Sequence, residues 1–289
     1  MKDRSISLVL GSGGARGLAH IGIIHELEQA GYKIESISGC SIGALIGGVY
    51  AAGKLAEFEA WVRAIDKTDI LSLLDLTWRS DGLVKGDKIM DTLVQLVGDW
   101  KIEDLPIRFT AIAADIDDEK EVWMSSGSLF EAIRASISLP MFFSPVPYRD
   151  SFLVDGGILN PVPIAPCFND QTDQIFAVNL GGAVEHGLFI EERHEEDTDL
   201  SFKERVHSFV EKLYKSDEEE GRSLSMYDVA HQAFDTMQGT IARQKLAAYP
   251  PDGVIEIPRN ACGILEFHKA EPLIELGKKR ARAFIATLD

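Results

Sequence analysis

The pentapeptide Gly39-Cys40-Ser41-Ile42-Gly43 lies where a strand-like run, Ile34 to Ser38, gives way to a helix-like one, Ile42 to Ala52. Glycines on both sides of a serine relieve crowding at a sharp strand-to-helix turn. They leave the hydroxyl exposed at a helix N-terminus, whose dipole favours alkoxide character. That is the setting of a nucleophile, although a glycine-rich turn with a capping serine accounts for the same five residues. A second segment, Gly11-Ser12-Gly13-Gly14-Ala15-Arg16-Gly17, follows the strand-like run Ile6 to Leu10 and opens a helix. Four glycines here let backbone N–H groups converge on one point, which suits a negative oxygen; a plain turn needs only one or two. The loop departs from the common nucleotide motifs. Arg16 stands where the dinucleotide fingerprint requires glycine, and no Gly-Lys-Ser/Thr ends the loop as a Walker phosphate site would demand.

A serine nucleophile needs a base. Asp155-Gly156-Gly157 follows the short apolar run Ser151 to Val154. An aspartate at a strand end, with flexible residues after it, can reach a serine hydroxyl and take its proton directly, although the same tripeptide also makes a hairpin turn. None of the seven histidines (His20, His25, His186, His194, His207, His231 and His268) falls in a recognisable turn signature, and residue 41 is early for the nucleophile of an α/β-hydrolase.

The elements that must hold these segments alternate along the first 180 residues, short apolar runs with longer amphipathic ones, which is the α/β pattern. Strands are expected at Ile6–Leu10, Ile34–Ser38, Arg108–Ala114, Glu121–Met124, Phe152–Val154 and Gln174–Asn179. Helices are expected at Gly17–Gly31, Ile42–Ala52, Leu55–Ile65, Asp87–Val97 and Leu129–Ala135, and again at Leu224–Ala247 and Glu271–Leu288. Residues 185 to 220 differ: thirteen Asp or Glu against five Lys or Arg put −8 of the chain's −17 there. Phe202, Val206, Phe209, Val210 and Leu213 fall at helical spacing within that span. It reads first as an acidic surface excursion and second as a lid over an acyl pocket.

Taken in order, Gly11-x-Gly13-Gly14-x-Arg16-Gly17, Gly39-x-Ser41-x-Gly43 and Asp155-Gly156-Gly157 resemble the motifs of the patatin-like phospholipase family. Ala135-Ser-Ile-Ser-Leu-Pro140 resembles the stretch that packs beside the site in that family. The likeness spans residues 5 to about 182 and is nearest to the bacterial, neuropathy-target-esterase-like branch. It implies a three-layer α/β/α sandwich with a mainly parallel sheet and a Ser–Asp dyad hydrolysing acyl esters, chiefly of phospholipids or lysophospholipids. Ser41 would be the nucleophile and Asp155 the general base, and Gly13 and Gly14 would supply the oxyanion hole. Arg16, Gly11, Gly39, Gly43, Gly156 and Gly157 would be in support. No metal or organic cofactor is implied. The domains expected are a catalytic core over 5–182, an acidic insertion or lid over 183–222, and a C-terminal helical part over 223–289 packing on the core. A lipid- or partner-binding protein that keeps the fold without turnover is the alternative, and a nucleotide-binding protein is a weaker one.

Composition sets the outer limits. With 45% hydrophobic and 26% charged residues the chain is an ordinary globular one. A net charge of −17 opposes binding to nucleic acid and to anionic membrane surfaces, so the expected partner is a lipid or ester substrate, with membrane contact at most transient. Cys40, Cys167 and Cys262 have no metal-like spacing and read as free thiols of a reducing compartment. No signal-peptide pattern follows Met1. Ser36 to Gly53 carries no charge over eighteen residues and contains Gly43-x-x-x-Gly47, but it is diluted by serine and glycine. It is therefore read as strand and helix rather than a membrane span, and the protein as cytoplasmic.

Overall fold

The structure is a computed structural model that describes residues 4–73, 84, 86–140, 142–188 and 226–288. Nearly all of the acidic span 185–220, with its candidate lid, lies outside the described residues. The first strand, β1 (Arg4–Leu10), leads through a 3-10 turn at Gly14–Leu18 into α1 (Ala19–Gln29). Then come β2 (Tyr32–Cys40), α2 (Ile42–Ala51), α3 (Leu55–Ala64), α4 (Lys67–Leu73) and α5 (Asp87–Val97). The chain returns to the sheet as β3 (Arg108–Asp115) and β4 (Lys120–Met124), followed by α6 (Leu129–Ser136), β5 (Val146–Tyr148), β6 (Ser151–Asp155) and β7 (Gln174–Gly182). The C-terminal part holds α7 (Met226–Ala248), β8 (Gly253–Pro258) and α8 (Ala270–Ile285).

Eight strands form one mixed sheet. β3, β2, β1, β7 and β8 run parallel in that order, while β4, β5 and β6 add antiparallel pairs around β3. Residues 111–115 of β3 pair with β4 on one edge. The opposite edge is shared: β2 occupies it as far as Cys40↔Ile112, and β6 takes over from Ala113↔Asp155. Because β2 is parallel and β6 antiparallel to β3, their C-terminal ends meet head-on. This junction brings residues 41 and 155, far apart in sequence, to one place.

Side-chain alternation sorts the layers. Ile6, Leu8 and Leu10 of β1 face the main core with Leu18, Ile21, Ile24 and Leu27 around α1, while Val9 faces a second cluster with Val162, Ile164 and Ala242. One extra residue, Glu35, between the pairs Ile6↔Ile34 and Ser7↔Ser36 shifts the phase, so Ile34 and Ile37 both reach the main core. α8 lies against α1 in close backbone contact: a Cβ on Gly22 would sit 2.0 Å from the Ile274 carbonyl, and one on Gly277 2.0 Å from that of Ala19. The uncharged run Ser36 to Gly53 is taken up by β2 and α2, and Gly47 lets α2 press onto Ile37 of the sheet. No described helix is long and apolar enough to cross a membrane.

Candidate active site

Ser41 is the residue between β2 and α2, and its backbone adopts φ 57°, ψ −126°. An L-residue other than glycine rarely occupies that region, and the strain costs on the order of 1–3 kcal/mol, so surrounding structure must impose it. The flanking glycines are part of that imposition. A Cβ on Gly39 would lie 2.5 Å from the Gly43 carbonyl oxygen, and one on Gly43 would lie 2.0 Å from the Leu10 carbonyl oxygen. The turn therefore closes only with hydrogen at both positions. Ser136 completes the clamp: its Oγ donates to the Ile112 carbonyl at 2.6 Å and accepts from the Ser41 amide at 2.9 Å. Two residues on, the Ser138 carbonyl accepts from the Asp155 amide at 2.9 Å. The Ala135–Pro140 stretch thus holds both sides of the junction through its backbone and one hydroxyl.

Asp155 ends β6 and is buried. Its Oδ1 accepts from the Gly157 amide at 2.7 Å and lies 3.8 Å from the Cys40 sulfur. Burial pushes its carboxyl up to about 6, opposed by hydrogen bonds from the Ser41 side chain, the Gly157 amide and the Cys40 thiol. The Cys40 thiol is itself raised well above its ordinary value, by burial first and by the Asp155 charge second. The Cys40 side chain does not line the cavity and turns toward the aspartate. Gly156 is required by space, since a Cβ there would lie 2.4 Å from the Ile112 carbonyl oxygen.

The first glycine loop closes the other side. Gly11 donates to the Val178 carbonyl at 3.1 Å, Ser12 to that of Pro161 at 2.8 Å, and Ala15 to that of Ile264 at 2.9 Å. Among the described residues nothing accepts from the amides of Gly13 and Gly14, and both residues line the same cavity as Ser41 and Asp155. Gly14 has φ +57°, which a side chain would strain. Arg16 does not line the cavity. It is buried, donates from Nε to the Gly13 carbonyl at 3.0 Å and from a terminal nitrogen to that of Arg259 at 2.9 Å, and lies 3.7 Å from Asp235. In a trans peptide the carbonyl and the following N–H point opposite ways. By holding the Gly13 carbonyl outward, Arg16 turns the Gly14 N–H inward. His20 braces the same loop with a hydrogen bond between Nε2 and the Gly11 carbonyl at 3.0 Å, and burial lowers its pKa to about 4, keeping it neutral.

The cavity measures about 140 Å³ and is walled mainly by apolar side chains, among them Leu45, Phe58, Trp61, Leu93, Ile137 and Phe142. Phe234, Gln238, Ile264, Leu265 and Phe267 extend the wall from the C-terminal part. Sequence reasoning did not find these, because they form no motif and belong to the site only through tertiary packing. No histidine lines the cavity among the described residues, and among those residues no group of three or more His, Cys, Asp or Glu gathers as a metal site would.

Comparison with known proteins gives a consistent picture. The family model described as patatin-like phospholipase matches residues 8–168. A protein of Mycobacterium tuberculosis named as an uncharacterized NTE family protein is 35% identical over 323 residues, covering 96% of this chain and 90% of that one. Lysophospholipase NTE1 of Saccharomyces cerevisiae is 32% identical over 191 residues, covering 63% of this chain but only 11% of the yeast protein. Among solved structures, VipD from Legionella pneumophila is similar in fold, with a TM-score of 0.50 at 13% identity over 99% of this chain and 67% of that one. With more than half of the sequence matched, including both glycine loops and Asp155, the chain belongs to the patatin-like phospholipase family, in its NTE-like branch, and is a hydrolase of lipid esters.

Proposed function

We propose that Ser41 and Asp155 act as a catalytic pair without a histidine, cleaving carboxylic esters of phospholipids or lysophospholipids through an acyl-Ser41 intermediate. One observation carries this reading: Ser41 and the buried carboxylate of Asp155 together line the polar end of an otherwise apolar cavity. In the acylation step Asp155 takes the Ser41 proton as Oγ attacks the ester carbonyl. The Gly13 and Gly14 amides receive the negative oxygen of the tetrahedral intermediate, and the proton then passes to the leaving alcohol. In the second step Asp155 takes a proton from water as its oxygen attacks the acyl carbon. Collapse returns that proton to Ser41 Oγ and releases the fatty acid. Burial suits the base: a carboxyl raised to about 6 is ionised at neutral pH yet more basic than an exposed one. The apolar wall suits an acyl chain, and the names of the relatives, which include lysophospholipases, support the substrate class.

The test is covalent. A fluorophosphonate probe should label the protein at Ser41 and leave a folded Ser41→Ala variant unlabelled. A panel of phospholipids, lysophospholipids and short water-soluble esters, assayed for released acid, should give highest kcat/KM on the single- or double-chain phospholipids. A folded protein that neither labels nor turns over any ester would instead be a binding protein built on this fold.

A further inference from the structure

Gln238 is the polar side chain that α7 contributes to the cavity wall. It lies outside residues 8–168, the part shared with the family model, and it is 9% exposed. Its Nε2 donates to Ser12 Oγ at 3.4 Å, at the long end of the hydrogen-bond range. The space around Gly157 shows what it faces. A Cβ on that glycine would lie 2.2 Å from Gln238 Nε2, 2.8 Å from Ser12 Oγ and 3.0 Å from Asp155 Oδ1. Two polar side chains, Gln238 and Ser12, therefore meet the Asp155 carboxylate around one point, and a side chain at residue 157 would displace them.

Burying a carboxamide in an apolar wall is unfavourable unless its hydrogen-bonding groups are used, and among the described residues the long bond to Ser12 uses little of that capacity. A hydrocarbon of the same length would pack α7 against the loop equally well. What the amide adds is an N–H donor: Nε2 and Asp155 Oδ1 lie 2.2 and 3.0 Å from one common point, close enough for one water to touch both. We propose that Gln238, supported by Ser12, is a positioning residue for deacylation: it orients the water from which Asp155 takes a proton. The water oxygen forms the new bond to the acyl carbon, the bond to Ser41 Oγ breaks, and the proton held by Asp155 passes to that Oγ. Gln238 exchanges no proton. The inference rests on the Ser41–Asp155 reading proposed above and adds a residue that acts in the second half-reaction only.

The experiment separates the two half-reactions in the full-length protein. With a p-nitrophenyl ester as acyl donor and hydroxylamine as a competing nucleophile, the ratio of hydroxamate to free acid reads deacylation whichever step limits turnover. Gln238→Met keeps the side-chain length and removes both hydrogen-bonding groups. It should raise that ratio about tenfold, leave the rate of Ser41 labelling by fluorophosphonate within twofold, and let acyl-enzyme accumulate in the intact mass spectrum. Ser12→Ala should move the ratio in the same direction by less. If Gln238→Met does not fold, Gln238→Asn, which withdraws the amide by one carbon, should give the same split. An unchanged ratio, or labelling slowed as much as hydrolysis, would overturn the inference. Absence of Ser41 labelling in the unmodified protein would overturn the underlying reading instead.

Discussion

The two glycine loops follow neighbouring parallel strands and open neighbouring helices, yet they use glycine in opposite ways. In Gly39–Gly43 the glycines supply room: the Gly43 and Leu10 carbonyl oxygens lie only 2.5 and 2.0 Å from where Cβ atoms on Gly39 and Gly43 would sit, and the strained dihedral falls on Ser41 itself at φ 57°. In Gly11–Gly17 it is Gly14 that takes the positive φ, and the loop leaves two amides without acceptors among the described residues. One loop stores strain in a side-chain-bearing residue and exposes a hydroxyl. The other relieves strain and exposes backbone. Similar composition at similar places in the topology thus presents a hydroxyl in one case and backbone amides in the other.

The largest effects should come from breaking the first loop. Ser41→Gly removes both the hydroxyl and the strained φ, so turnover should vanish while unfolding becomes less favourable by about 1 kcal/mol. Chemical denaturation together with a released-acid assay reads both, and a variant less stable than the parent would show that Ser41 is not strained. Asp155→Asn should be nearly as damaging to turnover, and its stability should depend on pH. The folded-state pKa of Asp155 is raised from 3.8 to about 6, so the native state binds its proton more tightly than the unfolded chain does. Below pH 4 the group is neutral in both states and costs nothing. Between 4 and 6 the unfolded chain ionises first and stability falls, and above 6 the full cost, on the order of 3 kcal/mol, is present. Asp155→Asn should therefore be more stable than the parent at pH 8 and lose that advantage below pH 4. In the parent, kcat/KM should fall on the acid side with a midpoint near 6; a midpoint near 4 would mean that the base is solvent-exposed.

An intermediate effect should come from disturbing the second loop without touching its glycines. A Cβ on Gly14 would lie 2.5 Å from the Ile264 carbonyl oxygen, so substitution there disturbs packing as well as donors. Arg16→Met is cleaner, because it frees the Gly13 carbonyl while keeping the stem. Losing one oxyanion donor outright typically costs about a hundred- to a thousandfold in rate. A donor that is present but no longer aimed should cost on the order of tenfold to a hundredfold in kcat, with KM little changed. Unaltered kcat in a folded Arg16→Met protein would mean that the loop holds its own geometry.

Much of this arrangement is legible in the sequence. Strand–loop–helix transitions at residues 11 and 39 are visible from periodicity and glycine, and α5 is expected and observed at Asp87–Val97. The helix expected over Gly17–Gly31 begins instead as a 3-10 turn at Gly14–Leu18, the form in which Arg16 reaches back to the Gly13 carbonyl. The strand β8 goes unread: Ile255 and Ile257 alternate with Glu256, but Pro250, Pro251 and Pro258 bracket them as a loop would be bracketed. The short helix α4 and strand β5 go unread as well, being too brief for a period to register. The meeting of β2 and β6 end to end on one edge of β3 has no sequence signature at all. It arises from pairing register, and Gln238 and Ile264 reach the cavity in the same unsigned way.

The smallest effect concerns Cys40, whose side chain stays out of the cavity wall. Cys40 precedes Ser41, and its sulfur lies 3.8 Å from Asp155 Oδ1, a long contact for a weak donor. Of the three hydrogen bonds that hold the Asp155 carboxyl down against burial, the thiol's is the last in size, behind those of Ser41 and Gly157. Cys40→Ala removes it and leaves a sulfur-sized gap away from the cavity wall. With one donor fewer the ionised form is less favoured, so the carboxyl pKa rises and the acid limb of kcat/KM should move to higher pH by a few tenths of a unit. Above pH 8, where Asp155 is ionised in either protein, the two profiles should coincide within about twofold. Cys40→Ser, which restores a donor, should return the limb toward its original position. A limb that moves to lower pH, or a loss in Cys40→Ala that persists above pH 8, would show that the thiol acts on the position of Ser41 rather than on the charge of Asp155.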